Sequence, residues 1–393
     1  MTGVPRIDAA ERRARLAARH HVTPASRVAS VTEVARGLVC LHATDPATVY
    51  LSAWSRLADP SLEAVDRALY DDRALIRMLA MRRTMFVVPV EDAPVLQAAA
   101  SLGVARRERR RNEEIVAMLG VDDVETWLRD AERATLEALT RLGEATAQEL
   151  SKAVPALREK VRANVGKKYE GSIGLSSRVL LLLAVEGRIV RARPRGTWIS
   201  SQYRWATMEQ WLGGPLPQLA TDDAQATLIG WWLDRFGPGT EADVRWWTGL
   251  TAREVRGAFE TIGAVEVDLD GQTGYVRPGD VEATPTPDPW VALLPALDPT
   301  TMGWQGRDWY LGPHKTPLFD TNGNAGPTIW ADGRIVGGWA IRPDGEVVTK
   351  LLEDVGRETG SAIDAEGARL TAWLRTVRVI PRFPTPLHRE LVG

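Results

Sequence analysis

Apolar residues recur at helical spacing through most of the first 120 residues. Ser30 and Glu33 have the spacing of a capping box, which predicts a helix that continues through Leu41. Because proline disfavours helical geometry at the residue before it, Pro46 should end this helix within residues 42–45. The β-branched and aromatic residues 84–88, closed by a proline, predict a strand. The segment is therefore expected to be mostly helical.

Two later segments share one order of predicted elements. The first has helices followed by two strands, over residues 122–142, 146–154, 176–186, 188–193 and 196–205. The second has the same order, over residues 222–236, 240–247, 249–262, 265–269 and 273–276. Three helices followed by a two-stranded hairpin are typical of a winged helix-turn-helix. The repetition indicates duplication, and the N-terminal segment can be interpreted as a third, degenerate copy.

Beyond a proline-rich linker at residues 282–289, the hydrophobic pattern changes to a period of two. Strands are predicted over residues 291–294, 308–311, 328–330, 334–339, 346–351 and 377–380, with a helix over residues 362–374. The fold class is therefore α+β: tandem winged helix-turn-helix units, expected to number three, with a β-rich C-terminal region. The expected domains are residues 1–120, 121–215, 216–281 and 290–393.

Composition narrows the class of protein. The chain has 49 Lys and Arg against 51 Asp and Glu, which excludes a uniformly basic surface but allows a basic face balanced by acidic residues elsewhere. A single cysteine, Cys40, excludes internal disulfides, and five histidines make a histidine-rich metal site unexpected. The longest apolar run, residues 179–185, is far shorter than the ~18 residues that a membrane span needs. We expect a cytoplasmic monomer that contacts no membrane.

Four segments resemble landmarks of one family and follow the same order along the chain. They are residues 38–46 (LVCLHATDP), 77–89 (RMLAMRRTMFVVP), 294–298 (LPALD) and 326–337 (GPTIWADGRIVG). The family is the winged-helix DNA-binding superfamily that contains the AlkZ/YcaQ-type DNA glycosylases. The resemblance covers essentially the whole chain. It implies three tandem winged-helix units in a C-shape, a C-terminal β region, and excision of alkylated purines, including crosslinked ones, without a metal or organic cofactor.

The enzymes of that family carry Gln-x-Gln or Gln-x-Asp just before Asp-Pro, and this sequence has His42 and Thr44 at those positions. An alkylated purine is a cation that leaves as a neutral base, so the resemblance implies that positioning a water matters more than a strong base. Residues two apart share a face where the chain is extended, which would let both side chains address one water.

We call residues His42, Thr44 and Asp45, just before Pro46, the corner. Each of them has a catalytic and a structural interpretation. His42 can accept a proton or a hydrogen bond, Thr44 can orient the water, and Asp45 can supply negative charge. In the structural interpretation His42 bonds a backbone carbonyl at a helix end, and Thr44 caps the next turn. Asp298 is open in the same way, as a catalytic carboxylate or as the cap of a turn.

Clustered cations predict double-stranded DNA as the partner, and the resemblance implies that this DNA is alkylated. The candidate phosphate contacts lie in a loop of the second repeated segment, in its wing and in the C-terminal region: Lys160, Arg162, Lys167, Lys168, Arg191, Arg193, Arg195, His314 and Lys315. The basic run at residues 106–111 is either a phosphate-binding arm or a solvated helix face. The wing of the third segment is acidic and is not expected to touch phosphate.

The leading hypothesis is a DNA-glycosylase-like enzyme that hydrolyses the N-glycosidic bond of alkylated or crosslinked purines. One alternative is a non-catalytic DNA-binding or regulatory protein that kept the architecture. The other is a scaffold whose winged units pack together without DNA.

Overall fold

The computed structural model describes residues 3–163, 171–375 and 377–393. Its α-helices, α1 to α17, are Ala9–Arg19, Val31–Gly37, Pro46–Trp54, Leu62–Asp66, Ala93–Leu96, Leu102–Ala117, Val124–Leu142, Ala147–Ala153, Leu175–Val185, Met208–Leu212, Thr221–Phe236, Glu241–Thr248, Ala252–Ile262, Asp308–Leu311, Lys315–Leu318, Gly356–Leu374 and Pro386–Val392. Its β-strands, β1 to β14, are Leu41–His42, Leu75–Leu79, Met85–Pro89, Ala145–Thr146, Lys160–Ala163, Gly171–Gly174, Ile189–Pro194, Tyr203–Thr207, Val265–Leu269, Gln272–Val276, Val291–Leu294, Thr328–Ala331, Arg334–Ile341 and Val347–Leu351.

The strands form small antiparallel sheets among the helices, which confirms a mixed helical and strand fold. Across the described ranges, no helix is both long and apolar enough to cross a membrane.

The N-terminal part contains a three-stranded sheet in the order β1-β3-β2. The capping box of Ser30 and Glu33 is present at the start of α2. The predicted continuation of this helix through Leu41 is wrong, because α2 ends at Gly37 and the left-handed backbone of Val39, at φ 62°, turns the chain away. The chain then pairs with β3 at Leu41 and His42, so these two residues are extended, and it bends at residues 44 and 45 just before Pro46.

The second repeated segment contains α7, α8 and α9, followed by β7 and β8. Strand β4 joins that hairpin in a three-stranded sheet of order β4-β8-β7. The loop expected between the second and third helices is instead built on an antiparallel pair, β5 with β6, so Lys160 and Arg162 lie on a strand. Lys167 and Lys168 fall outside the described residues.

The third repeated segment contains α11, α12 and α13, followed by the hairpin of β9 and β10. The chain's own N-terminus covers this acidic hairpin. The amide of Ile7 donates to the carbonyl of Asp268 at 2.9 Å, the amide of Asp268 donates to the carbonyl of Pro5 at 2.8 Å, and Arg6 pairs with Asp270 at 2.8 Å. These bonds occupy the edge of β9.

The C-terminal sheet has the order β11-β12-β13-β14, with the antiparallel meander that the sequence predicted. Two predicted strands are wrong. Residues 308–311 form helix α14, which packs Trp309 against Trp304 with ring centroids 5.0 Å apart. Residues 377–380 form no strand and run as irregular backbone beside the sheet. Helix α16 confirms the predicted closing helix and begins six residues earlier than expected.

A buried polar network joins the end of α3 to the segment after β11. The guanidinium of Arg56 donates to both carboxylate oxygens of Asp298, at 2.9 and 2.7 Å, and to the hydroxyl of Thr300 at 2.8 Å. The carbonyl of His20 accepts from Nε of the same arginine at 2.9 Å. Both carboxylate oxygens of Asp298 therefore take part in bonds that join the end of α3 to the segment after β11. Because α3 begins at Pro46, the network also fixes the residues just before that proline.

Candidate active site and DNA interface

His42 lies on β1, and both His42 and Thr44 are half-buried, so the corner is not sealed inside the core. The imidazole packs edge-on against the ring of Phe86, its cross-strand partner, with centroids 5.6 Å apart. The amide of Thr44 donates to Nδ1 of His42 at 3.4 Å, a long hydrogen bond. This contact makes Nδ1 the acceptor, which leaves Nε2–H as a donor. His42 does not lie at a helix end, so the structural interpretation does not apply to it in that form.

The imidazole of His42 is neutral at physiological pH. Burial, with the nearby charge of Arg82 acting in the same direction, lowers its pKa to about 3, while the carboxylate of Asp298 acts in the opposite direction. A base this weak removes few protons from a water. It serves better as a hydrogen-bonding group that holds the water in place.

Asp45, rather than Thr44, caps the helix that follows. Its Oδ1 accepts from the amide of Ala47 at 3.1 Å, and its Oδ2 accepts from the amide of Arg382 at 2.9 Å. Asp45 is 7% exposed, and burial raises its pKa. Both oxygens are thus engaged by backbone amides, an arrangement that positions the corner.

The C-terminal segment reaches this corner, which sequence reasoning missed. The guanidinium of Arg382 donates to the carbonyl of Thr44 at 3.2 Å, while the amide of the same residue donates to Asp45. Residue 382 is 338 positions away from Thr44, and no local pattern signals a contact across such a distance.

Two further arginines were also missed, and the charge of one of them, Arg82, acts on His42. The guanidinium of Arg82 lies 4.2 Å from the centroid of the Trp246 ring, and that of Arg307 lies 4.9 Å from the same centroid. Arg82 and Arg83 both have left-handed backbone, with φ of 53° and 62°, a conformation uncommon for residues other than glycine. Strained backbone of this kind clusters at functional sites, but sequence alone does not reveal it.

The three predicted phosphate contacts in the wing of the second segment differ in whether a carboxylate already pairs with them. Arg193 pairs with Asp66 and Asp71, each at 2.8 Å, and Arg195 pairs with Glu149. Arg191 lies over aromatic rings and makes no ion pair with the residues that the structure describes.

The remaining predicted contacts lie on strand β5, on helix α6 and in the C-terminal region. Lys160 and Arg162 are exposed on β5. In the C-terminal region Lys315 is exposed, whereas His314 bonds Glu353 at 2.8 Å. The basic run at residues 106–111 lies on helix α6, where Arg109 pairs with two glutamates.

The amino-acid sequence matches the family model described as "DNA glycosylase AlkZ-like" over residues 35–373. The chain therefore belongs to the AlkZ-like DNA glycosylase family. A curated relative, the interstrand DNA cross-link repair glycosylase of Streptomyces sahachiroi, is 26% identical over 358 residues, which cover 87% of this chain and 90% of that protein. The solved structure of Streptomyces sahachiroi DNA glycosylase AlkZ has a similar fold, with a TM-score of 0.70 and 23% identity, covering 96% of this chain and 100% of that chain.

Family membership confirms the resemblance carried by the four sequence segments. It gives the chain a DNA-glycosylase-like function in DNA repair, with DNA as the partner. The match begins at residue 35 and so includes the corner formed by His42, Thr44 and Asp45.

Proposed function

We propose that this protein hydrolyses the N-glycosidic bond of alkylated purines in double-stranded DNA, including purines in crosslinks. The observation that carries the proposal is the corner itself. His42 and Thr44, at the two positions where the family has its glutamine motif, are half-buried, close together and held by Asp45 and Arg382. The named activity of the Streptomyces sahachiroi relative, interstrand crosslink repair, supports the substrate class.

In the proposed reaction a water lies between the two side chains. Nε2–H of His42 donates to the water oxygen, and the hydroxyl of Thr44 accepts from the water. The C1′–N bond breaks as its electron pair moves onto the cationic purine, which leaves as a neutral base. The water oxygen bonds C1′ and its proton passes to solvent. No strong base takes part, which agrees with the lowered pKa of His42.

The repeated segments of the chain suggest how it is divided into DNA-binding units. We propose three winged units, within residues 1–120, 121–215 and 216–281, followed by a β-rich region at residues 290–393. The element order and the three-stranded sheet of the second segment support this division. The N-terminal cover on the third hairpin supports a role for that unit away from DNA.

The proposed phosphate contacts are those that the sequence predicted. Lys160, Arg162 and Lys315 are exposed, Arg191 borders a groove, and Lys167 and Lys168 belong to the same set by sequence. Arg193, Arg195 and His314 would first have to exchange a carboxylate partner for a phosphate. We also propose, from the sequence, a monomer that works in the cytoplasm without a cofactor.

The test is a base-release assay on a duplex with a single N7-methylguanine and on a crosslinked duplex, with abasic sites cleaved by alkali. The proposal expects release of the modified base and none from an unmodified duplex. The substitution of both glutamine positions favours one alternative, a DNA-binding protein without catalysis. Tight duplex binding with no base release from either substrate would establish that alternative and overturn the proposed reaction.

A further inference from the structure

One tyrosine ring brings two arginines together on the wing side of the corner. The guanidinium carbon of Arg77, on β2, lies 5.2 Å from the centroid of the Tyr203 ring. That of Arg191, on β7, lies 5.1 Å from the same centroid. Strands β2 and β7 come from different segments of the chain, so the fold assembles this arrangement and no sequence motif marks it.

Each member of this group has a buried polar atom without a hydrogen-bond partner among the residues that the structure describes. These atoms are Nη1 of Arg77, Nε of Arg191 and the hydroxyl oxygen of Tyr203. Arg77 is 3% exposed and Tyr203 is 7% exposed. Buried polar groups are nearly always hydrogen-bonded in native proteins, so the orphans on Arg191 and Tyr203, the two residues of this group that line a groove, indicate a missing partner. Both groups can donate, so the partner is an acceptor.

Charge points to the same kind of partner. Within the described ranges, neither Arg77 nor Arg191 makes an ion pair with a carboxylate, although each of the nearby Arg193 and Arg195 does. Burial, with the charges of Arg77 and Arg382 acting in the same direction, lowers the pKa of Arg191 to about 10. The guanidinium thus stays positive at neutral pH, partly desolvated and without a counterion. An uncompensated charge of this kind is costly unless an anion binds it.

The group borders a groove beside the corner. Arg191 and Tyr203 line it together with Gln202 and Thr146, and its volume is about 480 Å³. The corner is close by, since Arg382, whose charge acts on Arg191, donates to the carbonyl of Thr44. Burial raises the pKa of the Tyr203 hydroxyl, which keeps it a neutral donor.

We propose that Arg191 and the Tyr203 hydroxyl bind one phosphodiester of the DNA strand that carries the modified nucleotide. Arg77 is 3% exposed and does not line the groove, so it adds positive charge without touching the phosphate. The contact would hold the strand at a fixed place relative to His42 and Thr44. The proposal rests on the proposed function, because it needs the protein to bind DNA.

The first test measures how duplex affinity depends on salt. The slope of log K against log salt is negative, and each phosphate contact that a protein loses decreases its magnitude by about 0.9. We expect this decrease for Arg191→Met, with wild-type slope for Arg256→Met, a control arginine that is exposed and paired with Glu241. Equal slopes for wild type, Arg191→Met and Arg256→Met would overturn the proposal.

The second test locates the phosphate. A series of duplexes carries one neutral methylphosphonate linkage at each position around an N7-methylguanine. For wild type, we expect one linkage near the lesion to weaken binding about tenfold. For Arg191→Met the same linkage should cost less than about twofold, because its partner has already gone. Arg256→Met should keep the full tenfold cost.

Tyr203→Phe is a second variant that tests the site in case Arg191→Met fails to fold. It keeps the ring under both guanidinium groups and removes only the orphan hydroxyl, so the free protein should unfold at no lower urea concentration than wild type. It should nevertheless reduce the penalty at the same linkage. A penalty that stays tenfold in both Arg191→Met and Tyr203→Phe would refute the site. If wild type binds no duplex at low salt, the proposed function itself fails.

Discussion

The guanidinium of Arg56 forms a bidentate ion pair with the carboxylate of Asp298, and both side chains are fully buried. The arginine lies just beyond the end of α3, and the aspartate lies four residues after β11. Because α3 starts directly after the His-Ala-Thr-Asp corner, this pair sets how the corner sits against the C-terminal region. The hydroxyl of Ser52 also donates to Asp298, at 2.7 Å.

Removing one partner of this pair should be strongly destabilising. Arg56→Met leaves Asp298 buried without its counterion, and we expect a loss of about 3–5 kcal/mol in the free energy of unfolding. Arg342→Met, which breaks the exposed pair of Arg342 with Glu346, should cost less than about 1 kcal/mol. Urea unfolding followed by circular dichroism measures both. Similar small losses for the two variants would show that the buried pair does not hold these segments together.

Asp45 should behave as a positioning residue. Asp45→Ala removes the cap of α3 and the acceptor for the amide of Arg382, so we expect a stability loss of about 1–2 kcal/mol. Asp45→Asn keeps one acceptor oxygen and should lose less. Base release should fall in the same order as stability. If Asp45→Asn abolished base release while keeping wild-type stability, the carboxylate charge would have a direct catalytic role.

The rate of base release should show no pH dependence from His42 near the ordinary pKa of histidine. Because burial lowers the pKa of His42 to about 3, the rate of base release should be flat between about pH 5 and 8. An inflection near pH 6.5 that disappears in His42→Gln would contradict this.

The same pKa shift predicts how stability depends on pH. The ordinary pKa is about 6.5, so between about pH 3 and 6.5 the unfolded chain binds more protons at this residue than the folded chain. Stability should therefore rise with pH in this window, and it should fall more steeply on acidification in wild type than in His42→Gln. Identical pH profiles of the urea midpoint would count against a folded state in which the half-buried imidazole is neutral.

Local signals in the sequence predicted much of the fold. The capping box at Ser30 and the strand closed by Pro89 were confirmed because short-range chemistry decides them. The strand predicted at residues 308–311 was wrong because tertiary aromatic packing at Trp309 outweighed a pattern only four residues long.

Only part of the candidate site could be predicted from the sequence. The adjacent residues His42, Thr44 and Asp45 were recognisable from one motif, but Arg382 and Arg82 reach the corner from remote parts of the chain. The ion pairs of Arg193 with two aspartates were equally invisible, because a cation's partner depends on which segments the fold brings together.

The most direct measurement is the single-turnover rate of base release from an N7-methylguanine duplex by wild type and by the His42→Ala/Thr44→Ala double variant. Loss of the water-positioning pair should slow release by about 100-fold or more while leaving duplex affinity within about twofold. The His42→Gln/Thr44→Gln variant, which restores the glutamine motif, should release the base at least as fast as wild type. A double alanine variant that released the base at the wild-type rate would place the chemistry elsewhere and contradict the account.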